Sequence, residues 1–280
     1  MLAHSTSDHA ITVTNELAQC GLHPTVATST QHARSLVEAQ GAAIVPGIGP
    51  SEQDARNLAY DLLGSKVLAV PPAARVFDGG EMDNRAPGLD HTAPLPPHTD
   101  GFGYGDQYPD YILLTCVHSS AAGGESFLVD GYRLLELMGQ DTQTSWVPPA
   151  LASVDVDQTE EGMQNAVSPI VQTTARGRRL LRRTFNQRAS QSSQNSGRDN
   201  DMIEAWCTWV DRAAKEAPRF KLNPGDALVV DNYRLLHGRE AYTDLTRLMW
   251  RVWIWSSDSI GGAPDMPLHS DTRYAHNSAD

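Results

Sequence analysis

Ten histidines occur in the 280-residue chain, and two of them stand in a setting that suits a metal ion. The first lies in Pro96-Pro97-His98-Thr99-Asp100. On an extended strand residues i and i+2 point to the same side, so His98 and Asp100 can offer an imidazole nitrogen and a carboxylate oxygen to one ion. The two prolines stiffen the approach. The second is His237, which the apolar run Ala227-Leu228-Val229-Val230 delivers through a polar turn, with Gly238-Arg239 following. Either motif alone is weak: an HxD pair is frequent by chance, and a histidine beyond a turn is commonly a surface residue. Together, two histidines and one carboxylate form a facial set that leaves three positions open on an octahedral ion, which suits Fe(II) that must take a co-substrate and dioxygen. A zinc site more often uses three or four closed ligands, frequently cysteines.

Two arginines add to this. The segment Arg247-Leu248-Met249-Trp250-Arg251-Val252-Trp253-Ile254-Trp255 is strongly β-prone. On a strand, Arg247 and Arg251 share a face with Met249, Trp253 and Trp255. Two guanidinium groups among tryptophans are expensive to bury unless each meets an anion. Arginine is the side chain best shaped to fork onto a carboxylate. The plainer alternative is a strand whose arginines line a solvated face.

The elements that must position these residues are mostly strands. Residues 66–72, 110–118, 126–131, 178–188, 224–232 and 247–255 read as strands, and 140–175 as short ones. Helices are expected at 30–40, at 52–63 with Ser51 as cap, Asp54 three residues on and Gly64 at its end, and as one or two turns at 131–139. Another is expected at 202–217, where apolar residues recur at helical spacing. Residues 77–97 are rich in Gly, Pro, Asp and Asn and read as a lid loop. Residues 191–200 read as a polar loop, part of a strand-and-loop insertion at 176–200, and 261–280 as a flexible tail. Strands dominate, so residues 1–260 are expected to form one mainly β domain with flanking helices and not a βαβ array.

Composition narrows the function classes. Lys+Arg minus Asp+Glu is 22 − 34 = −12. So acidic a chain argues against general nucleic-acid binding and against an anionic membrane surface. No apolar run approaches the roughly 20 residues that span a bilayer. The N-terminus lacks the basic and apolar regions of a signal peptide. Three cysteines without a CxxC pair argue against a disulfide framework or a thiolate zinc site. A reducing cytoplasm is the default compartment.

Taken together, the chain resembles the taurine dioxygenase/clavaminate synthase-like family of Fe(II)- and 2-oxoglutarate-dependent oxygenases. The matching pieces are His98-Thr99-Asp100, Pro109-Asp110-Tyr111-Ile112-Leu113-Leu114, Gly123-Gly124-Glu125-Ser126-Phe127, Pro224-Gly225-Asp226 through His237-Gly238-Arg239, and Arg247 through Arg251. Their order and spacing agree over roughly residues 90–255. The resemblance implies a double-stranded β-helix (jelly-roll) core. It implies Fe(II) on His98, Asp100 and His237, with 2-oxoglutarate and O2 as co-substrates. The distal carboxylate of 2-oxoglutarate would meet Arg247, assisted by Ser126. Arg251 falls where relatives hold either the substrate's anion or 2-oxoglutarate. Relatives that halogenate have a small residue in place of the carboxylate ligand, so Asp100 implies hydroxylation, desaturation or ring closure, with release of succinate and CO2.

The substrate is expected to be a small polar metabolite bearing a carboxylate, such as an amino acid or a specialised-metabolite intermediate. Arg251, Asn186, Phe102 and Tyr104 are its candidate contacts. Six arginines and no acid lie within 176–188, which reads as an anion-binding strand, a face balancing nearby acids, or a docking patch. Two other classes compete with an oxygenase: a metal-dependent hydrolase or isomerase on a jelly-roll barrel, and a non-catalytic binding module. The oligomeric state is open.

Overall fold

The computed structural model describes residues 16–69, 74–76, 92–101, 104–105, 107–159 and 165–263. Most of the expected lid, Phe102 and the chain from residue 264 onward lie outside the described residues. In chain order the first strands are β1 (Gly21–Leu22), β2 (Thr25–Val26), β3 (Ala42–Val45), β4 (Val67–Ala69), β5 (Ala74–Val76), β6 (Leu95–His98), β7 (Tyr111–His118) and β8 (Ser126–Asp130). They are followed by β9 (Asp155–Asp157), β10 (Val167–Pro169), β11 (Val171–Thr173), β12 (Arg179–Leu181), β13 (Arg188–Ala189), β14 (Ala227–Asp231), β15 (Leu235–Arg239) and β16 (Leu248–Ser256). The helices are α1 (Thr30–Gln40), α2 (Glu52–Leu63), α3 (Gly131–Gln140), α4 (Val147–Leu151) and α5 (Ser196–Glu216).

Two sheets carry the architecture. The larger runs β2-β3-β14-β7-β16-β4, with β5 also paired to β16, and the smaller runs β1-β8-β15-β6. Both are antiparallel except for the parallel β2–β3 pair. Successive strands alternate between the sheets: β6, β8 and β15 lie in the smaller, β7, β14 and β16 in the larger. Side chains of both sheets meet in one core, where Ile112, Leu228, Met249 and Trp253 pack with Leu128 and Leu235. Helices α1 and α2 cover the outer face of the larger sheet around Leu113, Val229, Val252 and Ile254. Helices α3, α4 and α5 cover the smaller sheet around Phe127, Val129 and Leu236. The alternation along β16 follows from this layering: Val252 and Ile254 face the helices, Met249, Trp253 and Trp255 the inner core.

Local signals place several elements where the residues put them. Helix α1 is capped by Ser29, whose hydroxyl accepts from the His32 amide at 3.1 Å. It ends at Gly41 in the left-handed region, φ 90°. Helix α2 carries the full Ser51–Asp54 capping box. Three expectations are corrected. Helix α5 begins at Ser196, within the supposed polar loop, because Asn195 caps it and its first turn, Ser-Gly-Arg-Asp-Asn, is too hydrophilic to show an apolar stripe. The stretch 140–175 contains α4, whose prolines sit at its first positions, where proline is tolerated. Within 178–188 only Arg179–Leu181 and Arg188, the first residue of β13, are strand.

Candidate metal centre

The centre is built on the pairing of β6 with β15. His98 and His237 are direct partners across these strands, and their rings lie 4.2 Å apart between centroids. His237 therefore sits on a strand, β15, which follows the turn at 232–234. Its neighbour has to be glycine: a Cβ at Gly238 would collide with the Phe127 ring and stand 2.7 Å from the Leu95 carbonyl oxygen. Asp100 lies just past the end of β6, so it reaches His98's side from a loop and not from strand alternation.

The three side chains turn their donor atoms together. Asp100 Oδ1 is 3.3 Å from His98 Nε2 and 3.8 Å from His237 Nε2. One donor atom from each residue falls within 4.8 Å of the others, and all three residues are buried. Among the described residues no other such cluster of three or more histidine, cysteine or acidic side chains occurs. His98 Nδ1 lies 2.9 Å from the Pro96 carbonyl oxygen. That bond needs the proton on Nδ1 and leaves the Nε2 lone pair for an ion. Burial, reinforced by His98, lowers the His237 pKa from 6.5 to about 3, so its imidazole is neutral. Burial works to raise the Asp100 carboxyl pKa, but the opposing effects, led by the Arg251 guanidinium, outweigh it and hold the group ionised, well below the usual range. Neutral imidazoles and an ionised carboxylate are what a hard or borderline divalent cation requires. The residues present fit such an ion.

The surroundings of Asp100 are equally specific. Asn232, fully buried, accepts from the Asp100 amide at 3.0 Å and donates to the carbonyl oxygens of Asp100 and Pro109 at 2.9 and 2.8 Å. The second carboxylate oxygen, Oδ2, accepts from the Trp253 indole at 2.7 Å and lies 3.4 Å from Arg251 Nη1. The Arg251 guanidinium in turn lies over the Trp253 ring, 4.7 Å from its centroid. The residues alone did not single out Asn232 or assign Trp253 a role. The Asp231-Asn232 pair directly before the His237 strand was the available signal.

The two arginines diverge. Arg247 is buried and borders a small cavity with Cys116, Ser120, Gly124, Ser126 and Lys221. Its Nη1 is buried without a hydrogen-bond partner, the Tyr242 ring lies 5.2 Å away, and burial pushes its pKa down. A buried guanidinium with an unmet N–H beside a serine hydroxyl fits an entering carboxylate. Lys221, not foreseen, shares this cavity while pairing with Glu125 at 3.2 Å. Arg251 faces Asp100 instead.

The remaining candidates are scattered. Tyr104 is buried, with its ring edge-on to Trp253 and Trp255 at 5.5 and 5.1 Å. Asn186 is exposed, whereas its neighbour Phe185 lies 5.4 Å from the His98 ring and is 45% exposed. Reciprocal bonds at 3.0 Å hold that segment against the metal loop, from the Thr99 amide to the Arg183 carbonyl and from the Arg183 amide to the Thr99 hydroxyl. The arginine-rich stretch mostly balances acids. Arg176 pairs with Asp258 at 3.0 Å, Arg178 with Asp110 and Asp231 at 2.8 and 2.6 Å, and Arg188 with Asp157 at 2.7 Å.

Comparison with known proteins bears on this geometry. The human (Homo sapiens) gamma-butyrobetaine dioxygenase is 28% identical over 152 residues, 50% of this chain and 38% of that protein. A uridine-5'-phosphate dioxygenase of Amycolatopsis sp is 28% identical over 172 residues, 59% of this chain and 61% of that protein. The chain thus spans less than two thirds of the length of these curated relatives. Among solved structures, PvcB of Pseudomonas aeruginosa superposes with a TM-score of 0.58 at 16% identity, covering 85% of each chain. An asparagine oxygenase in complex with Fe(II), 2S,3S-3-hydroxyasparagine and succinate superposes with a TM-score of 0.55 at 15% identity, covering 92% of this chain and 93% of its own. At such identities these two show a shared fold of mixed sheets with flanking helices. The model of the taurine catabolism dioxygenase TauD, TfdA family matches residues 22–253, from β1 into β16 and across the whole metal centre, and this chain belongs to that family.

Proposed function

We propose that this chain is an Fe(II)- and 2-oxoglutarate-dependent oxygenase that hydroxylates, desaturates or cyclises a small polar metabolite. The observation that carries this is the convergence of His98 Nε2 and His237 Nε2 on Asp100 Oδ1 in a buried site. These three residues hold the iron. Iron and 2-oxoglutarate, when bound with O2, supply the oxidising power, and succinate and CO2 leave as co-products. Arg247 and Ser126 take the distal carboxylate of 2-oxoglutarate, which the unmet Nη1 of Arg247 and the cavity beside it support. Neutral His237 and ionised Asp100 need lose no proton on loading.

The substrate is a carboxylate-bearing small molecule such as an amino acid or a specialised-metabolite intermediate. Phe185, beside His98 and partly exposed, lines its entry. Residues 1–260 act as one oxygenase domain, and the two facing sheets are the halves of a double-stranded β-helix. The alternation of β6, β7 and β8, and of β14, β15 and β16, between the sheets supports that topology. Among the described residues no helix is long and apolar enough to cross a membrane.

The test is anaerobic addition of Fe(II) and 2-oxoglutarate, where a weak visible charge-transfer band is expected. Aerobic screening of carboxylate-bearing metabolites should then give substrate-dependent succinate with an oxidised product. Metal binding without that band, together with hydrolysis of a substrate, would replace this proposal with a metal-dependent hydrolase.

A further inference from the structure

We infer that Trp253 is a positioning residue that makes Asp100 a one-oxygen metal ligand. This rests on the metal-centre reading above and adds to it the outer partner that sets how the carboxylate binds.

A carboxylate can grip an ion through one oxygen or through both. Gripping through both would fill one of the three positions that the co-substrate and dioxygen need. In this chain the two oxygens have different surroundings. Oδ1 faces the Nε2 atoms of His98 and His237 at 3.3 and 3.8 Å. Oδ2 accepts the indole N–H of Trp253 at 2.7 Å, the short distance of a charge-assisted bond. The indole is suited to this task because it is a donor only and because it is held from its own side. Trp253 is buried, edge-on to Tyr104 at 5.5 Å and to Trp255 at 6.4 Å, and its strand partner on β7 is Ile112. Arg251 reinforces the arrangement from 3.4 Å, where its flat group also lies over the Trp253 ring.

Asn232 already clamps the Asp100 main chain, so the carboxylate's remaining freedom is rotation about its own side-chain bonds. The terminal torsion of aspartate is broad. Without the indole, the group turns easily and either oxygen can approach the ion.

The experiment uses the full chain with Co(II) as the probe. Wild type should bind one Co(II). Trp253→Phe keeps most of the buried ring but removes the N–H. It should raise the Co(II) Kd on the order of 10–100-fold and alter the visible Co(II) absorption. The melting temperature of the metal-free variant should stay near that of wild type, a pattern that a purely structural role would not produce. An unchanged Kd and an unchanged Co(II) spectrum would overturn the inference while leaving the metal centre intact. Failure of wild type to bind Co(II) would overturn both. Should Trp253→Phe not fold, the wild-type chain crystallised with Mn(II) decides. One Asp100 oxygen on the metal with the indole on the other supports the inference, and both oxygens on the metal refute it.

Discussion

Asn232→Ala removes the clamp that holds the metal loop, and its effect can be sized from three bonds. The side chain meets the Asp100 amide, the Asp100 carbonyl and the Pro109 carbonyl at 3.0, 2.9 and 2.8 Å, at a position with no solvent exposure. Each buried polar group left unmet costs about 1–3 kcal/mol. Water entering the vacated space offsets part of that sum, and the expected loss is about 3–4 kcal/mol. With a urea dependence of about 3 kcal/mol per molar, the unfolding midpoint of the metal-free chain should fall by about 1 M. Asn232→Asp is the sharper control. It keeps the shape and the acceptor for the Asp100 amide but sets a carboxylate oxygen against two carbonyl oxygens, so it should destabilise at least as much. Both variants should also weaken Co(II) binding, because Asp100 is no longer held by its main chain. A midpoint for Asn232→Ala within about 0.3 M of wild type, with unchanged Co(II) affinity, would refute the clamp.

Three further outcomes are expected. Arg247→Ala should raise the KM for 2-oxoglutarate about 10²–10³-fold, for a charge-assisted contact worth about 3–4 kcal/mol, while Co(II) affinity stays at the wild-type value; succinate assays and metal titration separate the two. Gly238→Ala should destabilise the chain by about 1–3 kcal/mol, read as a lower melting temperature, because the new Cβ collides with the Phe127 ring. The metal-free chain should lose stability as pH falls from 6.5 towards 3, since the folded His237, with a pKa lowered to about 3, refuses a proton that the unfolded chain accepts. Asp100 adds to the acid lability below its ordinary value of 3.8, because its folded pKa is depressed. Urea midpoints measured across that range should slope for wild type and flatten above about pH 4 for His237→Gln; equal slopes for the two would contradict a buried neutral imidazole.

Much of the local order was legible in the residues. The capping box at Ser51 and Asp54, Gly64 at the end of α2 and the apolar alternation of β16 depend on neighbours a few positions apart, and the structure places them accordingly. The start of α5 was hidden because its exposed first turn carries no apolar stripe. The place of His237 was hidden for another reason. A five-residue strand after a polar turn looks like loop until β6 and β8 pair with it on both edges.

Residue types and short spacings were enough to name a cation's donors and two anion-seeking arginines, since charge and ligating chemistry belong to each side chain wherever the chain goes. They could not say which arginine turns to the Ser126 cavity and which to Asp100. Nor could they pair Asp100 with Asn232, 132 residues away, or with Trp253, 153 residues away. Those choices follow from the register of β6 on β15 and the packing of one sheet over the other. A shift of one residue would send every side chain of a strand to its opposite face.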